Sequence, residues 1–226
     1  MSKTRPASVY TAPCPAPAAD RPPNAELGDL RFRKLLGAEA WHALPAAVRV
    51  RFSKRLGGAK AAVYSGEIIE TRMSRAGWML AQLVRIIGAP LPVSRDAGVP
   101  AVVTVTEDEK GGGQYWTRQY GRHKKFPQVI HSAKRFSGKT GLEEYVGCGI
   151  GMALAVDADE QAVFFRSVYY FFRIAGMRII LPTWLCPGRT TVSHVDLGQG
   201  MFGFNLELTH PWLGELICQH AIFRDA

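Results

Sequence analysis

The chain has 226 residues, 28 Lys+Arg against 19 Asp+Glu for a formal charge of +9, and 47% apolar residues. That apolar content excludes a wholly disordered chain, since enough surface is available to offset ordering entropy. Four Cys in a chain of this size make no disulfide framework, and no apolar helical run approaches the ~20 residues that cross a bilayer. A soluble globular protein with one sizeable core is expected.

Residues 1–26 hold six of the fourteen Pro and six Ala. They read as a disordered, partly extended tail ahead of a single domain over 27–226. Lys3 and Arg5 are followed by no apolar h-region, so the segment does not read as a signal peptide. Asp29 is placed to cap a short helix over 30–36 that Gly37 stops. Leu44, Val48 and Phe52 recur at i, i+4, i+8 and predict a second helix around Pro45, with Arg49, Arg51, Lys54 and Arg55 on or near its other faces. Ala61–Met73 reads as the first strand. Ser74 then caps a helix over 75–87, apolar nearly all round and ended by Gly88 and Pro90. A helix with so little polar surface is expected to be buried or covered by a partner.

From Val99 onward the pattern is strand–turn–strand. Strands are expected over 99–106, 114–120, 128–136, 142–156, 162–174, 177–181, 190–197, 201–208 and 215–223, with 142–156 as one long bent strand. Their spacing without intervening helical periods implies antiparallel neighbours. The expected fold is mostly β within the α+β class. It is an antiparallel β-barrel or strongly curved sheet, with a buried helix after the first strand and short N-terminal helices.

Charge is uneven along the chain. Residues 31–60 and 109–139 each carry eight Lys/Arg and one Glu, whereas 140–226 carry five Lys/Arg and nine Asp/Glu. A basic segment can attract nucleic acid, anionic lipid or an acidic ligand, or simply form a solvated face. Tyr115, Trp116, Tyr120, Arg122, Lys124 and Lys125 interleave basic and aromatic residues, but no nucleic-acid module pattern accompanies them, so nucleic acid is not favoured. No C-x-x-C pair and no closely spaced His pair occurs, and neither metal nor cofactor is expected. The Cys residues read as free thiols in apolar surroundings, in a reducing cytoplasm.

The run WTRQY with Trp116, Arg118 and Tyr120 begins a longer pattern. It continues through Leu142, Glu143 and Gly147, then Gly176 ahead of Leu181 and Pro182, then Pro187. It closes with Phe202 and Phe204 and with Pro211 and Gly214. This order resembles a bacterial family, domain of unknown function 4166, over residues 36–223. Members of that family often resemble the C-terminal part of saccharopine-dehydrogenase-like proteins. No G-x-G-x-x-G opens this chain and no βαβ pattern occurs. Where family members end with a Tyr near a Gly, this chain has Gln219, His220 and Ala221. The resemblance supports the domain as one unit and supplies no reaction.

Strand alternation sorts the residues able to carry chemistry. Trp116, Arg118 and Tyr120 share one face, which can stack a ligand and grip an anionic group or serve as a cross-strand ladder. Glu143, if it faces inward, needs a cation, and Arg118 or Arg135 is nearest by hairpin order. Arg173 and Arg178 flank Gly176, and His194 shares a face with Val192 and Asp196.

The leading reading is a β domain whose apolar cavity binds a small amphipathic or anionic organic molecule. Trp78, Trp116 and Phe204 would line the apolar part, Arg118, Arg173 and Arg178 would meet the acidic end, and Tyr120, Arg135, Glu143 and His194 would complete the lining. A second reading is a cofactor-free isomerase or cyclase with Glu143 as acid/base and Arg118 as electrostatic stabiliser. A third is an interaction module whose basic helix over 44–56 docks a separate NAD(P)-dependent oxidoreductase or an anionic membrane.

Overall fold

The structure, a computed structural model, describes residues 28–57 and 60–225. The tail expected over 1–26 lies outside them. Three short helices come first, α1 (Arg31–Leu36), α2 (Ala38–Ala43) and α3 (Ala46–Phe52). Asp29 Oδ1 accepts the Arg31 N–H at 3.0 Å, tying down the entry of α1. The strand β1 (Ala61–Met73) leads into α4 (Arg75–Leu83), which tightens into a 3-10 turn over Val84–Ile87. Ser74 Oγ accepts the Gly77 N–H at 3.1 Å, so the capping residue acts as its position suggested.

Ten further strands follow: β2 (Val99–Asp108), β3 (Gly113–Tyr120), β4 (Gln128–Arg135), β5 (Leu142–Gly147), β6 (Ile150–Ala158), β7 (Ala162–Ile174), β8 (Met177–Ile180), β9 (Arg189–Gly198), β10 (Met201–His210) and β11 (Gly214–Asp225). Each pairs antiparallel with its neighbour in the order β6-β5-β4-β3-β2-β1-β11-β10-β9-β7-β8, and β6 also pairs with β7. That last pairing closes a ten-stranded barrel, with β8 appended to the end of β7 beyond its pairing with β9. The segment 142–156 is two strands rather than one bent strand. Cys148 at φ 46° and Gly149 at φ 78° make the two-residue turn between them, a geometry whose twist suits a hairpin.

Inward side chains alternate along every strand. In one half of the barrel they meet the N-terminal helices. Phe32 of α1 packs edge-on against Phe52, Phe136 and Phe165 with centroids 5.0 to 6.0 Å apart. Trp41, Leu44 and Val48 are at most 2% exposed in the same cluster. These helices plug one end of the barrel.

The helix after the first strand differs from its expectation. Only Gly77 and Ala81 of α4 are buried, where the helix lies across the start of β11. Trp78, Met79 and Leu83 face outward, and Ile86 in the following turn is 81% exposed. An apolar helix needs cover, and this one receives it along a single stripe. The thiols also separate: Cys218 is buried, Cys186 half-buried and Cys148 exposed at its turn.

The seat of α4 generates a test. A Cβ at Gly77 would stand 2.0 Å from the Leu216 carbonyl oxygen. Helix propensity favours Gly→Ala by about 1 kcal/mol, yet Gly77→Ala is expected to lose about 1–3 kcal/mol by forcing α4 off β11. Urea unfolding measures the sign, and a stabilised variant would show that α4 does not depend on this close approach.

Candidate functional site

The half of the barrel opposite the plug is hollow. A cavity of about 310 Å³ lies there, whereas the space beside Phe32, Phe52 and His194 is only about 30 Å³. Its apolar wall comes from Ile130, Met152, Val192, Phe204 and Leu206 of the barrel. Leu80, Leu83, Val84 and Ile87 cover one side of its mouth, with the segments 90–92 and 181–187 beside them.

Its floor is charged. Arg118, 8% exposed, donates through Nη2 to Ser132 Oγ and to Glu144 Oε1, both at 3.2 Å. Lys134 Nζ lies 2.8 Å from Glu144 Oε2. The same Nζ is 5.0 Å from the Trp116 ring and 5.5 Å from that of Phe165, on the filled side. Arg118, Lys134 and Glu144 therefore form a buried layer of two cations and one anion across the barrel. Arg118 Nε is buried with no hydrogen-bond partner among the described residues. Burial opposes the charge on Glu144, but Lys134, Arg118 and the Ser132 hydroxyl outweigh it and hold its carboxyl down at about 2. Burial lowers the Lys134 ammonium below its ordinary value against the pull of Glu144. Higher up, Tyr170 and Thr190 share a 2.7 Å hydroxyl contact on the cavity wall.

The sequence-derived residues divide between the two sides of the wall. Arg118, Tyr120 and Phe204 line the cavity, and Trp116 and His194 point inward into the filled half. His194 lies between Phe52 and Phe202, with centroids at 5.1 and 4.3 Å. Burial, reinforced by Arg51, lowers its imidazole to about 3, so it is neutral.

The remaining residues correct the expectation. Glu143 faces outward, where Arg178 Nη1 meets Oε1 at 2.7 Å and Ser137 and Tyr145 donate to Oε2 at 2.9 Å. Arg178 is thus a strap on the outer wall, stacked over Phe171. Arg173 is exposed on the same side. Arg135 pairs outside with Asp108 at 2.7 Å, and Trp78 lies 48% exposed on α4. Glu143 and Arg118 are on opposite faces of the barrel wall and form no joint acid–base site.

Arg51 also departs from the docking picture. It is buried, 3.4 Å from both Asp196 and Asp225, and sits over Phe202. Sequence reasoning missed Glu144 and Lys134. Both were reachable by alternation, since Glu144 lies between Leu142 and Val146, and Lys134 is in phase with Ile130 and Ser132.

These features define a closed antiparallel barrel with an apolar, basic-floored cavity at one end. Residues 44–223 match the model of a family described as a domain of unknown function (DUF4166). The chain belongs to that family, as the motifs around Trp116 and Phe204 suggested. No curated protein and no solved structure matches it.

Two tests follow from the charges. Glu144→Gln leaves two cations without their carboxylate and is expected to cost about 3–5 kcal/mol, with much of that loss recovered on adding Lys134→Met. Equal stability of Glu144→Gln and the parent in urea would contradict the buried layer. The second test is acid. The imidazole of His194 falls from an ordinary 6.5 to about 3, so below pH 6.5 the unfolded chain binds a proton the folded chain refuses, and stability falls with pH down to about 3. Glu144, lowered from 4.5 to about 2, adds a loss as pH drops through that lower window. Urea midpoints against pH are expected to fall less steeply between pH 6.5 and 4.5 for His194→Leu; parallel curves would remove His194 from the acid response.

Proposed function

We propose that this protein binds a small amphipathic molecule with an anionic head in the hollow half of its barrel. The supporting observation is the charge imbalance beside an apolar cavity: Arg118 on its lining and Lys134 outside that lining share one Glu144, and Arg118 Nε has no partner among the described residues. A carboxylate, sulfonate or phosphate head entering first satisfies that donor and the surplus charge together. The volume of about 310 Å³ sits at the small end of ordinary ligand pockets, about 300–1,000 Å³. The apolar tail then runs along Leu80, Leu83, Val84 and Ile87 toward the mouth.

The isomerase or cyclase reading is weaker on this geometry. Its carboxylate, Glu143, is outside the barrel, and the inward neighbour Glu144 is a poor base because two cations hold it ionised. The docking reading through α3 is weakened by the burial of Arg51 within its own fold.

Calorimetric titration with decanoate and with decanol separates head from tail. Decanoate is expected to bind more tightly. Arg118→Met is expected to weaken decanoate by about tenfold or more, the scale of a hydrogen bond to a charged group, and to leave decanol nearly unchanged. If both ligands bind alike and the substitution alters neither, the anionic-head reading fails.

A further inference from the structure

The end of the barrel that carries the cavity mouth is formed by segments 74–98, 121–127, 175–188 and 211–213, with the short turn at 148–149. Trp78, Trp184 and Trp212 lie in these segments at 48%, 69% and 78% exposure, three of the five Trp in the chain. Phe126, also here, is 93% exposed. All four residues of β8 are exposed, three of them apolar, and among the described residues the strand pairs only with β7. Leu83 and Leu185 belong to both surfaces, lining the cavity while more than half exposed. At Leu83 and Leu185 the apolar interior thus continues out onto the rim.

Charge accompanies the apolar surface. These segments hold seven Lys/Arg and one acidic residue, Asp96. Arg75, Arg85, Arg95, Lys124 and Lys125 are exposed, and none of these five makes an ion pair among the described residues. Exposed apolar area of this extent marks an interaction surface. Indole rings favour the level of lipid headgroups, where one part of the ring is apolar and the N–H stays wet. Basic side chains beside them are attracted to anionic lipid.

We infer that this end of the barrel docks on the surface of an anionic bilayer, with the exposed Trp and β8 in the headgroup region and the cavity mouth facing the acyl chains. The role of this contact in ligand exchange rests on the binding reading above: an amphiphile can then pass between membrane and cavity past Leu83 and Leu185 without its tail crossing water. The docking itself stands on the rim alone.

Flotation of the purified full chain with phosphatidylcholine vesicles, with and without phosphatidylserine, tests it. The protein is expected to float with the phosphatidylserine vesicles only, with a blue shift of its Trp emission. Lys124→Glu with Lys125→Glu, on an exposed loop, is expected to weaken that binding by about tenfold or more, from the scale of each basic contact. Trp184→Ser with Trp212→Ser is expected to diminish both flotation and blue shift, with circular dichroism confirming the fold. Arg118→Met should float like the parent even where it no longer binds decanoate, which separates this inference from the ligand reading. Three results overturn it: no flotation with either vesicle, equal flotation with both, or a lipid-free dimer that the Trp substitutions abolish. The last would assign the rim to a second copy of the chain.

Discussion

A closed barrel of ten strands encloses more space than its own inward side chains can fill. Eight strands make an interior that side chains just occupy, or that holds one small ligand, and width grows with strand number. Here the pairing of β6 with β7 fixes that width. The chain fills one half by inserting Phe32 and Phe52 from the helices α1 and α3, bringing the aromatic cluster with Phe136 and Phe165 to packing distance. Among the described residues nothing comparable fills the other half, where α4 lies across β11 and sends only its edge residues over the mouth. The hollow is therefore a consequence of closure plus a plug at one end.

The two halves treat polar groups differently. His194 in the packed half has no partner at Nε2 among the described residues and stays neutral, wedged between rings. At the boundary with the hollow, Arg118 and Lys134 each lie within 3.2 Å of a Glu144 oxygen and hold its carboxyl ionised. Desolvating three charges is costly. A layer built only for stability would have balanced them or replaced them with apolar groups. Arg118 and Glu144 line the cavity, so the charged layer borders an otherwise apolar wall.

Much of this architecture was written locally. The bounds of β1 and β7 follow from hydrophobic runs ending at polar or Gly residues, and the cap at Ser74 from its place ahead of an apolar segment. Alternation put Trp116, Arg118 and Tyr120 on one face, and that face is the interior. Alternation also explains the main error. Glu143 and Glu144 are adjacent, and a one-residue difference in phase exchanges inside for outside. An inward Glu143 was expected to pair with Arg118 or Arg135; facing outward, it pairs instead with Arg178, one of the arginines expected at a ligand's acidic end. The strand spacing led to a barrel or a strongly curved sheet, and the β6–β7 pairing, which depends on shear and strand count across the whole sheet, decides for the barrel. The turn at Cys148 was hidden for a different reason: its positive φ falls partly on a non-Gly residue.

The apolar helix after β1 carries the most instructive mismatch. A helix with few polar residues implies a cover, and burial in the domain or a covering partner was expected. The barrel supplies only the stripe at Gly77 and Ala81. The remaining apolar surface of α4 is continuous in character with β8 and with the loops bearing Trp184 and Trp212, and these share one end with exposed Lys and Arg. Burial in the core would make that surface a matter of stability. Its position at the mouth makes it a matter of what the mouth meets. The apolar pattern is thus answered by the barrel along one stripe alone, and the rest of it lies exposed at the mouth.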